Sequence, residues 1–155
     1  MNTLDQVEEF HRAFNLPVDR EPGVGALSEG ELVELNLCAE RLAAMGKYLH
    51  EMAGRHNSLA LIRMQLLVEE VGEVAEAIAK KDLPNLLKEL SDVQYVVDGA
   101  YLSFGLDHLK AVGFAEVHAS NMSKLDENRL PIIDASGRVV KSDQYRKANM
   151  GQFFD

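Results

Sequence analysis

The chain has 155 residues, 46% of them apolar and 26% charged, with a formal net charge of −9. That length and balance suit one soluble globular domain with a real core, and the acidic excess argues against general affinity for nucleic acid, which needs Lys and Arg to neutralise phosphate. No apolar run approaches a membrane span, the start MNTLDQVEEFHR lacks the basic and apolar regions of a signal peptide, and Cys38 is the sole cysteine, so no intrachain disulfide can form and a reducing cytoplasm is the expected location.

Residues 3–14 are predicted as a short helix with Leu4, Val7, Phe10 and Phe14 inward and His11 beside that face. Pro17 to Gly25 is a connector, because its prolines and glycines prevent regular structure. Ser28 and Glu31 have the spacing of a capping box, so a second helix should start there and run to about residue 55. Along it Leu35, Cys38, Leu42, Met45, Leu49 and Met52 alternate by three and four, a seam for a partner helix within the fold or in a second subunit. Gly54 and Asn57-Ser58 mark its end and the next start.

The third helix has an apolar stripe at Met64, Leu67, Val71, Val74 and Ile78 and stops at Lys80-Lys81. Asp82 fits an N-cap with Pro84 in the first turn of a fourth helix, striped by Leu83, Leu86, Leu90, Val93, Val97 and Phe104. Gly105 closes it, and Asp107 can cap a final helix to about Met122, with Leu109, Val112, Phe114, Ala115 and Val117 partly buried. Beyond Lys124 the periodicity is lost; Ile132-Ile133 and Val139-Val140 flank a turn and suit a small hairpin. Residues 124–155 carry six basic against five acidic side chains, so this tail is the better place for anion contacts.

The acids of the third and fourth helices carry the chemistry. Glu69, Glu70 and Glu73 lie on an arc beside the apolar stripe, and none has a Lys or Arg three or four positions away. Glu69 and Glu73 instead form a like-charge pair at a spacing that destabilises a helix. The two-helix hairpin expected from so short a link lets Glu70, Glu73, Glu89 and Asp92 converge. Convergent carboxylates without Cys or His form a hard-oxygen site suited to Mg²⁺ or Mn²⁺, and magnesium held by few carboxylates implies a polyphosphate ligand. The plainer alternative is a solvated face, in which Lys88 simply pairs with Asp92 four residues on. A di-iron carboxylate bundle would want two Glu-x-x-His motifs, and only Glu8-x-x-His11 is present. No Walker-type phosphate loop and no Ser or Cys nucleophile with a His partner stands out.

Glu70-x-x-Glu73 followed by Glu89-x-x-Asp92, within EEVGEVAEAI and KELSDVQYVVDGA, resembles the MazG-like superfamily of all-α nucleotide pyrophosphohydrolases, which includes dimeric dUTPase-like enzymes and phosphoribosyl-ATP pyrophosphohydrolase. FHRAFNLPV (Phe10 to Val18) and FAEVHASNMSK (Phe114 to Lys124) are similar to members too, leaving only about residues 25–57 outside the resemblance. The resemblance implies an all-α bundle of about five helices with an irregular or hairpin C-terminal segment, one domain over residues 1–155 in which 28–55 is an extra helix and 124–155 a substrate-contacting tail. It implies hydrolysis of a nucleoside triphosphate, a dNTP before phosphoribosyl-ATP, to the monophosphate and pyrophosphate, with Mg²⁺ on Glu70, Glu73, Glu89 and Asp92. Either Glu69 or Glu70 would be a ligand or the base that activates water. Asn121 and Lys124, which could also be a polar helix end, are expected to touch substrate, as are Lys141, Arg138 and His11. A homodimer or dimer of dimers is expected, with Lys141 or Arg138 able to reach a phosphate across the subunit boundary. A non-catalytic helical interaction module is the rival reading.

Overall fold

Polar caps set where the helices begin. The computed structural model describes residues 2–154. Five helices run as α1 Thr3–Ala13, α2 Glu29–His56, α3 Leu59–Lys80, α4 Leu83–Ser103 and α5 Lys110–Met122, followed by a two-stranded antiparallel ribbon, β1 Ile132–Ile133 and β2 Val139–Val140. Ser28 and Glu31 cap α2 reciprocally, as the spacing predicts, and Asp82 accepts from the Asn85 amide at the start of α4. Asn2 and Asp5 make a second reciprocal box on α1 by the same chemistry. Among the described residues no helix is long and apolar enough to cross a membrane.

The chain forms two compact units. One spans Glu21–Asp107 and contains α2, α3 and α4, with α3 packed against both of the others. Two-residue links at Asn57-Ser58 and Lys81-Asp82 allow this, because Asn57 and Lys81 take the left-handed conformation and turn the chain back at once. The other unit joins the residues up to Arg20 to those from His108 onward, with α1 packed against α5 and the ribbon following.

The predicted stripes are covered in part, Leu42, Leu49, Val74, Ile78, Val93 and Val97 among them, but the most buried positions differ, and the reason is size. On α2 the covered line is Ala39, Leu42, Gly46, Leu49 and Ala53, whereas Cys38 and Met45 of the predicted seam are exposed. On α3 the buried residues are Gly72, Ala75 and Ala77, while Met64 and Val71 face outward; on α4 they are Glu89 and Val96, with Leu90 and Phe104 exposed. Small residues let backbones approach, so the closest contact runs where there is least side chain rather than most. A Cβ on Gly72 would lie 3.1 Å from that of Leu42, which shows how near α2 and α3 come. In the other unit Phe14 is the main core residue at 1% exposure, whereas Leu4, predicted inward, is 73% exposed, and Val112, Ala115 and Val117 of α5 also face outward. The α5 face that is covered includes Ser120 instead.

Candidate active site

Glu69, Glu70 and Glu73 stand on α3, and Glu89 and Asp92 on α4. Successive residues of a helix point about 100° apart, so the tandem glutamates diverge. Glu69 turns toward α2: its Cγ lies 2.8 Å from where a Cβ on Gly46 would stand, and Gln65 Nε2 donates to its Oε1 at 3.1 Å. Glu70 turns toward α4, where one oxygen each from Glu70, Glu73 and Glu89 lie within 4.8 Å of one another. Asp92 is outside that trio and is tied to it by Lys88, whose Nζ is 2.9 Å from Glu89 Oε2, 3.0 Å from Asp92 Oδ2 and 3.5 Å from Glu73 Oε2. The predicted Lys88–Asp92 pair is therefore present, but as one arm of a three-way contact.

Crowded acids change each other's proton affinity. Burial, first, and then the charges of Glu73, Asp92 and Glu89 hold the Glu70 carboxyl above the ordinary carboxylate range, against a smaller opposing pull from Lys88. Glu73 is raised likewise, by burial and then by its hydrogen bond to Glu89 and that group's charge. Lys88 is pushed up by its hydrogen bonds to Glu89 and Asp92. Glu70 Oε2 is buried with no hydrogen-bond partner. Such an orphaned acceptor costs roughly 1–3 kcal/mol, and a cation would satisfy it. Oxygen donors alone, converging from two helices with one of them unserved, fit a hard divalent ion.

A cavity of about 480 Å³ opens between α2 and α3, with Glu69, Glu73 and Glu76 on one side and Asn36, Glu40 and Lys47 on the other. Glu73 thus belongs to both the acidic trio and the cavity wall. The α2 residues are absent from the predicted set. Their signal was Gly46 and Gly72, two glycines in helix interiors where the cost of about 1 kcal/mol relative to Ala asks for a packing reason.

The residues predicted to touch substrate lie in the other unit, and each has a local partner. Lys124 Nζ donates to Asn121 Oδ1 at 2.8 Å and lies 5.7 Å from the centre of the Phe10 ring. His11 Nδ1 is 2.8 Å from the Pro17 carbonyl oxygen, fixing the chain as it leaves α1. Lys141 sits 4.3 Å over the Tyr145 ring, and Arg138 Nε donates to Ser136 Oγ at 3.0 Å within the ribbon turn. Asn121 also lines a cavity of about 200 Å³ with Phe10, Phe114 and His118, the last 3.1 Å from Glu9 Oε2. His118 lies within the FAEVHASNMSK block, and no local spacing points to it, because its partner is more than a hundred residues away in sequence.

These features define an all-α protein with a cluster of acidic side chains on a helical hairpin. Residues 47–121 match the family model of phosphoribosyl-ATP pyrophosphohydrolase, and this stretch is a domain of the MazG-like nucleoside triphosphate pyrophosphohydrolase superfamily. The match spans 75 of the 155 residues, and the family is one of pyrophosphohydrolases that act on nucleotides with a divalent metal. The matched stretch holds all five acids, Lys88 and Asn121; His11, Lys124, Arg138 and Lys141 lie outside it. No curated protein and no solved structure matches the chain.

Proposed function

We propose that the protein hydrolyses a nucleoside triphosphate, in the first instance a dNTP, to the monophosphate and pyrophosphate with Mg²⁺, Mn²⁺ substituting, and so clears unwanted nucleotides from the cytoplasmic pool. The observation that carries this reading is the convergence of Glu70, Glu73 and Glu89 around a buried Glu70 oxygen that has no partner. The metal's part, when bound, is to neutralise phosphate charge and to acidify a water. Glu70, Glu73, Glu89 and Asp92 are assigned to hold it. Glu69, next to Glu70 in sequence yet facing the cavity, is assigned to take the proton from the attacking water. Asn121, Lys124, Lys141, Arg138 and His11 are assigned to substrate, with the lysines acting as point charges on phosphate. The whole chain is taken to work as one catalytic domain.

A homodimer or dimer of dimers belongs to this reading. Leu87, Leu90, Tyr95 and Leu102 of α4 are all exposed, which supports a partner for that helix. Sedimentation should give at least twice the 17.2 kDa chain mass.

Phosphoribosyl-ATP is the second substrate reading, supported by the description of the matched family. Pyrophosphate release measured over a panel of dNTPs, NTPs and phosphoribosyl-ATP, with Mg²⁺ and with Mn²⁺, separates the two. Turnover of a dNTP several-fold above phosphoribosyl-ATP supports the first, the reverse order the second, and no pyrophosphate from any of them overturns both.

A further inference from the structure

Lys88 stands on α4 with Glu89 and Asp92, and its charge opposes theirs and that of Glu73 on α3. Its ammonium has three protons and meets three carboxylates, Glu89, Asp92 and Glu73, at 2.9, 3.0 and 3.5 Å. It reaches two of the carboxylates that converge with Glu70, those of Glu73 and Glu89, while Glu70 Oε2 has no hydrogen-bond partner. The two ends of the contact differ in freedom. The Glu89 side chain is 4% exposed and stays where the packing puts it, whereas that of Lys88 is 57% exposed, on a flexible four-carbon stem.

We propose that the Lys88 ammonium is a tethered place-holder cation: it holds Glu73, Glu89 and Asp92 together while no divalent ion is bound, and must swing out for one to load. This rests on the reading of the acidic cluster as the metal site. The physical ground is mutual exclusion. A divalent ion held by a carboxylate oxygen that also accepts from the ammonium would bring two cations into close contact, and like charges repel strongly where water is scarce. Glu89, nearly without solvent, needs a cation beside it, and either one would serve. Lys88 therefore sets how much free divalent ion the site requires: an affinity measured against a competing closed state falls by the fraction of molecules that are open.

The test uses the full chain and Mn²⁺ alone, titrated with the free ion followed by electron paramagnetic resonance. Lys88→Met should bind Mn²⁺ about tenfold more tightly than the parent, matching an open state populated about a tenth of the time, and should melt lower in chelator. Lys88→Arg should restore the parent's behaviour on both counts. Unchanged or weaker Mn²⁺ binding by Lys88→Met, with or without a lower melting midpoint, overturns the proposal, since a purely structural tie moves only the midpoint. Absence of Mn²⁺ binding by parent and variant alike overturns the metal-site reading on which it stands. An independent measurement needs no variant: acylation of Lys88 in the parent protein, mapped by mass spectrometry, should rise when Mg²⁺ is added, and an equal or smaller yield counts against displacement.

Discussion

The capped and paired acids of the unit of α1 and α5 and the acidic cluster of the α3–α4 hairpin are held in opposite ways. In the unit of α1 and α5, Glu8 is paired with Arg12 and Arg20, and Glu116 accepts from Arg146 at 2.5 Å and from the Asn149 amide at 2.9 Å. Asp134 accepts from the Ser136 hydroxyl and from the Ser136 and Arg138 amides. These three carboxyls sit below their ordinary range, held there first by the Arg12, Arg146 and Ser136 side-chain hydrogen bonds respectively. In the unit of α2–α4, Glu70 and Glu73 sit above it, pushed up first by burial and then by other acids. Donors that outnumber acceptors fasten a chain, while acceptors that outnumber donors leave a demand for a cation. The contrast separates charge that holds structure from charge that awaits a ligand.

The strongest challenge to that distinction is Glu73→Gln. It should lower metal-dependent pyrophosphate release by about a hundredfold or more, the scale on which loss of one electrostatic stabiliser acts, while leaving the melting midpoint in chelator unchanged or higher because a like charge is gone. A large fall in that midpoint would place Glu73 among the structural acids. Next in size is Gly46→Ala. Helix propensity favours the alanine by about 1 kcal/mol, yet its Cβ would displace Glu69, so turnover should fall by about tenfold with Mn²⁺ affinity unchanged. Full activity in that variant would remove Glu69 from the chemistry. On the other side of the contrast, Glu116→Gln should lower the melting midpoint and speed hydrogen exchange over residues 142–149 without altering Mn²⁺ affinity.

The smallest effect is in pH. Stability linked to Glu70 and Glu73, whose folded values are raised, is full below the ordinary carboxylate range and lost as pH climbs through the raised values. Stability linked to Glu8, Glu116 and Asp134, whose folded values are lowered, is present above the ordinary range and lost as pH drops through the lowered values. Hydrogen exchange in chelator should accordingly show α3 and α4 loosening slightly as pH rises just above the carboxylate range, and α5 with its tail loosening only on strong acidification. Added Mg²⁺ should abolish the first trend, because it binds the deprotonated acids. The same pH response in both regions would erase the distinction.

Much of this architecture was legible in the sequence where chemistry is local. Ser28 with Glu31, Asp82 ahead of Pro84, and the paired Ile132-Ile133 and Val139-Val140 all act over a few residues, and each gives the element it announces. The gathering of Glu70, Glu73 and Glu89 was legible as well, since a two-residue link leaves two helices little choice but to fold back. What escaped was anything fixed by small side chains or by distant partners. Counting large apolar residues favours Met45, Met64 and Leu90 and passes over Gly46, Gly72, Ala75 and Ala77, which the helices use to approach. Glu116 with Arg146 and His118 with Glu9 join residues far apart in the chain, beyond the reach of any periodicity.

The glycine contact between α2 and α3 limits how the cavity beside it could diversify. Because the gap over Glu69 is kept open by a missing methyl group at Gly46, bulk cannot be added on that line without dislodging an acid. On the proposed reading, changes of substrate preference are expected at the cavity's far wall, at Asn36, Glu40 and Lys47, and among the residues of the other unit assigned to substrate, rather than on that line.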